Sequence, residues 1–113
     1  MTNLERLKME IEGIAFDDNK LNVYLQENEL NATVEYAPTS KTNKKNILKT
    51  ALSILESIAN NPSNMKSYKT DDISISQFSE NLNNRIDVLD RKIRLIPDDE
   101  GYNDGASFVY MFK

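Results

Sequence analysis

The chain has no cysteine, no histidine and no tryptophan, and only three glycines and three prolines among its 113 residues. Without thiols or imidazoles it has no disulfide, no thiolate nucleophile and no histidine acid–base chemistry. Of the common zinc ligands only carboxylates remain. The fold has to hold by packing alone. No apolar run approaches the roughly 18 residues that a membrane span needs. The opening stretch MTNLERLKMEIEG is charged and periodic where a signal peptide would be apolar. These two absences predict no membrane partner and synthesis in the cytoplasm. No Walker loop, Rossmann glycine pattern or nucleophile elbow occurs. The chain therefore reads as a non-enzyme with no cofactor.

What is present fits one small domain with a lean core, for which oligomerisation is a natural supplement to stability. Net charge is −4 but unevenly spread. Residues 1–37 carry three basic and eight acidic side chains, 38–50 carry four lysines and no acid, and 98–113 carry four acids and one lysine. Such asymmetry suits subunits that meet through complementary patches, and equally suits ordinary solvated faces.

Apolar periodicity predicts a mainly α fold. Thr2 with Glu5 forms a capping-box pattern, and Leu4, Leu7, Ile11 and Ile14 follow at helical spacing up to Gly13. Asp17 or Asp18 caps a second short helix with Leu21, Tyr24 and Leu25 on one face. The longest apolar stripe, Ile47, Leu48, Ala51, Leu52, Ile54, Leu55, Ile58 and Ala59, predicts a helix over 39–60, stopped by Asn60, Asn61 and Pro62. Tyr68, Ile73 and Ile75 alternate with polar residues and predict short strands near 66–75. Ser76 then caps a second long helix over 76–96. There Phe78, Leu82, Ile86, Leu89, Ile93 and Ile96 step close to a heptad seam, and Pro97 ends it. The two long stripes are expected to cover each other, so Leu52→Asp and Ile86→Asp are each expected to unfold the domain. The chain divides into a helical domain, 1–97, and an extended C-terminal arm, 98–113. The arm's polar DDEGYNDG leads into ASFVYMFK, where Phe108, Val109, Tyr110, Met111 and Phe112 would give a strand over 107–113 two apolar faces.

Two groups of charged residues invite chemistry. The acidic pairs Asp17–Asp18, Asp71–Asp72 and Asp98–Asp99 read more simply as helix capping and turn residues than as metal ligands, and DDEGYNDG misses the spacing of a calcium loop. No metal site is assigned. Lys41, Lys44, Lys45 and Lys49 share one face of the first long helix, at i, i+3, i+4 and i+8 spacing. With no arginine or aromatic interleaved, it reads as a solvated face that would touch DNA only weakly.

The order of elements resembles the head–tail connector (adaptor, or head-completion) proteins of long-tailed bacteriophages. Two short helices precede a long helix ending ALSILESIANNPSNM, then the extended YKTDDISIS, then a helix beginning SQFSENLNNRIDVLDRKI. Tyr68, Lys69, Asp72, Ile73 and Ile75 match that family's aromatic-lysine-x-x-acidic pattern with alternating β-branched residues. The resemblance covers about residues 1–96 and is architectural. It implies a homo-oligomeric ring, dodecameric in that family, between portal and tail or neck proteins in the virion. The ring would form part of a channel in which DNA makes transient, non-specific contact. The FVYMFK end has no counterpart in the family pattern. Its aromatic run, with Tyr68, Ile73 and Ile75, is the expected subunit interface, the arm crossing to a neighbouring subunit or stacked ring. Two other readings compete. One is a non-viral helical interaction module, such as a regulatory adaptor or antitoxin-like protein. The other is a metal-dependent hydrolase using the arm's carboxylates.

Overall fold

The computed structural model describes residues 1–69 and 73–97. Helix makes up 68% of them and no sheet forms among them, so the fold is mainly α. Four α-helices run in order: α1 (Asn3–Glu10), α2 (Asp18–Glu27), α3 (Lys41–Ala59) and α4 (Ile75–Leu95). A 3-10 helix, Pro62–Ser67, lies between the last two.

Each helix start has a local chemical cause. The Thr2 hydroxyl accepts the Glu5 N–H at 3.2 Å, and the Glu5 carboxylate accepts the Thr2 N–H at 2.7 Å. This is the capping box that the sequence predicts. The next two orphan donors of α1, the N–H groups of Asn3 and Leu4, reach the Val34 and Ala32 carbonyls. Ser40 caps α3 through the Asn43 N–H, and Ser74 caps α4 through the Gln77 N–H. α1 runs out into a turn that closes at Gly13, whose φ of +90° costs a residue without a Cβ little. α2 ends differently. Leu30 N–H bonds Leu25 O and Glu29 N–H bonds Gln26 O, the two bonds of a Schellman motif, and Glu29 takes the left-handed position at φ 63°.

α3 is the axis of the domain. Ile47, Leu48, Ala51, Ile54, Leu55 and Ile58 are buried along it. α4 packs lengthwise on this helix, burying Phe78, Leu82, Leu89 and Ile93, while α1 and α2 pack on it from other sides. Leu7, Leu21 and Leu25 complete the core from the short helices. A polar knot fastens the N-terminal end. Buried Asn3 donates to the Asn31 carbonyl at 2.9 Å and accepts from the Asn43 amide at 3.1 Å. Asn43 also accepts from the Ala37 N–H, so α1, the 31–37 loop and α3 are tied by one amide cluster.

Three expectations need correction. No strand forms among the described residues of 66–75. Pro62 presets a helical φ at the first position of the 3-10 helix, which runs to Ser67. Extended pairing there shrinks to one isolated bridge, Ile14 with Lys69, backed by a 2.7 Å bond from Ala15 N–H to the Tyr68 carbonyl. Ile75, expected in a strand, is the first residue of α4, because the helix is capped at Ser74 and not at Ser76. Leu52 and Ile86 are half-buried at the margins of their stripes, so they are poor probes of the core. The expected strand at 107–113 lies outside the described residues.

Candidate interaction surface

α1 and α4 both lean on α3 without packing on each other, and a groove opens between them. Arg6 and Glu10 of α1 form one wall, and Val88, Leu89, Lys92, Leu95 and Ile96 line the α4 side. Lys44 and Leu48 of α3 contribute at one end. The groove consists of two adjoining hollows that share Glu10 and Lys92, of about 330 and 190 Å³. Each far exceeds the roughly 30 Å³ share of a water in the liquid, so each has room for side chains.

Arg85 lines one end of the groove. Its guanidinium donates to the Glu10 carbonyl at 2.6 Å and to the Glu12 carbonyl at 3.0 Å. These carbonyls stand at the C-terminal end of α1, where the helix dipole is negative and carbonyls lack intrahelical partners. One planar fork therefore caps α1 from α4 and keeps the two helices in register. Arg6 is held as well. It pairs with Glu10 at 2.9 Å and lies over the Tyr36 ring at 5.4 Å, with only 16% of its side chain exposed.

The groove is apolar beyond its charged rim. Val88 is 41% exposed and Leu95 82%, high values for large aliphatic residues on one helix. Leu95 sits in the last turn of α4, where the chain leaves through extended Ile96.

Of the four lysines, Lys44 lines the groove beside Leu48, whereas Lys41, Lys45 and Lys49 are not part of its lining. Lys41, Lys44 and Lys49 are exposed and Lys45 is half-buried. Tyr68 is half-buried and stacks on Phe16 at 5.4 Å, and Phe16 in turn meets Tyr24 at 5.8 Å. Lys20 approaches the outer side of that aromatic cluster, 5.9 Å from the Phe16 ring centre. Ile73 packs half-buried against the core, and Ile75 is exposed at the start of α4. Tyr68, Ile73 and Ile75 thus form no common strand edge. Phe108, Val109, Tyr110, Met111 and Phe112 lie outside the described residues.

Of the acidic pairs, Asp17 occupies the N-cap position of α2 without a side-chain capping bond, and Asp18 pairs with Lys8 at 3.0 Å. Among the described residues no three acidic side chains gather in a group that could hold a metal ion. No helix among them is long and apolar enough to cross a membrane. Sequence reasoning missed the Arg85 fork and the groove. Their only local trace was an arginine on the face of α4 next to its apolar seam.

No known protein family, no curated protein and no solved structure matches the chain.

Proposed function

We propose that the chain is a structural subunit of an oligomeric ring joining the head of a long-tailed bacteriophage to its tail, as part of the DNA channel. The observation that carries this reading is the arrangement of the helices. Two short N-terminal helices brace one face of α3, α4 lies along another, and an open, partly apolar groove is left between α1 and α4. The order of the four helices is the one that underlies the sequence resemblance to connector proteins, whereas the extended element between the long helices is a 3-10 helix and one bridge among the described residues. A subunit of this kind works by being held in place, which requires exposed apolar surface on a rigid frame. Leu95 and Val88 supply such surface on α4, beside its buried stripe.

In this reading the partners are further copies of the chain, the portal protein on one side and tail or neck proteins on the other. The site of action is the neck of the virion. DNA passes with transient contacts only, which accords with an acidic chain. Electron microscopy of the purified protein and of phage particles containing it, with mass measured by light scattering, tests the proposal. Rings with a central channel, or density for the chain in the neck, are the expected result. A monomer or dimer at every concentration, with no copy in particles, would overturn it and favour a small interaction module instead.

A further inference from the structure

We infer that the groove between α1 and α4 is the acceptor for the C-terminal segment, residues 98–113, of a neighbouring copy of this chain. The inference rests on the ring reading for the identity of the donor. The choice of groove and segment rests on their chemistry.

The segment comes in two halves. Residues 98–105 carry four acids and no base, and residues 106–113 carry the run Phe108 to Phe112. The groove offers partners for both. Lys44 and Lys92 line it with Glu10 as the single acid, which Arg6 already pairs, and Arg85 is engaged by the α1 carbonyls. Val88, Leu89 and Leu95 supply aliphatic surface along its length. Acids of the segment can meet the two lysines while its aromatic rings and these aliphatic side chains exclude water together.

Length agrees as well. From Asn84 to Leu95, α4 extends about 17 Å at 1.5 Å per residue. Extended chain covers about 26 Å in eight residues, so part of the segment 98–113 spans the groove and the rest is left to cross from one copy to the next. Where each copy gives its segment to one neighbour and accepts from another, the contact is heterologous and can close into a ring, whereas a reciprocal exchange would stop at a dimer.

The absence of cysteine makes the test direct, because any introduced cysteine is the only thiol. Full-length chains carrying Val88→Cys would be mixed with isotope-labelled chains carrying Phe108→Cys, Tyr110→Cys or Phe112→Cys. A short bis-maleimide then links them, and the linked peptides are read by mass spectrometry. Val23→Cys, on exposed α2 surface away from the groove, is the control acceptor. The expected result is a link between unlike chains from position 88 to a position in the tail, absent from the Val23 control and lost when the acceptor also carries Leu95→Glu. Leu95 is 82% exposed, so that change leaves the fold intact. Rings seen by microscopy without any such link would overturn this inference and leave the ring reading standing. Links formed only within one chain, in a Val88→Cys/Tyr110→Cys double variant, would also overturn it. A chain that never oligomerises would overturn both.

Discussion

Arg85 offers the sharpest test of the frame that holds the groove open. Arg85→Met keeps an aliphatic stem of similar length and removes both donors, leaving the Glu10 and Glu12 carbonyls without the guanidinium. A hydrogen bond with one charged partner contributes about 1.5–3 kcal/mol, and a cation at a helix C-terminus adds about 0.3–1 kcal/mol. Both figures need discounting here, because Arg85 is half-buried and water can reach the carbonyls once it is gone. A net loss of about 2 kcal/mol is expected, which in a domain near 100 residues lowers Tm by roughly 8 °C. Arg85→Lys can satisfy one carbonyl but not both, and should lose about half as much. Urea unfolding followed by far-UV circular dichroism measures both variants, with an unchanged m-value as the sign that only stability has moved. A Met variant within about 0.5 kcal/mol of the parent, the size of an ordinary surface change, would refute the claim that this fork ties α1 to α4.

Other outcomes follow from the same geometry. Glu29→Gly should stabilise the chain by about 1 kcal/mol, since the left-handed position at the end of α2 penalises a Cβ; a lower Tm would contradict this. Leu55→Ala, at a fully buried site, should cost about 2–5 kcal/mol, and Leu52→Ala distinctly less; equal losses in denaturant melts would refute the placement of the core. The Thr2 backbone N–H, with the Thr2 hydroxyl, holds the Glu5 carboxyl below its ordinary pKa. Its folded value lies under the unfolded one, so its contribution is present above the unfolded pKa and lost as pH falls through the folded one. Glu5→Gln should therefore flatten the acid limb of a stability–pH profile, and an unaltered limb would count against the capping box. Binding to duplex DNA should be weak and salt-sensitive, and tight binding at physiological salt that vanishes in a Lys41, Lys44, Lys45 and Lys49 quadruple Ala variant would show those lysines to be a true DNA site.

Helices were legible wherever a local cause sufficed. The Thr2–Glu5 pair, the stop at Asn60 to Pro62, and the stripes of α3 and α4 all lie within a few residues of their effects. The alternation of Tyr68, Ile73 and Ile75 misled for an equally local reason. β-branched residues every second position fit a strand, but a strand needs an edge to pair with, and among the described residues Tyr68 and Lys69 end in a 3-10 helix and one bridge, while Ser74 caps Ile75 into helix. Leu52 and Ile86 show a second limit. A wide stripe names the residues that face inward, and only the angle at which neighbours pack decides which margin stays half-wet. The Arg85 fork joins residues 73 and 75 positions apart, so no window along the sequence could contain it.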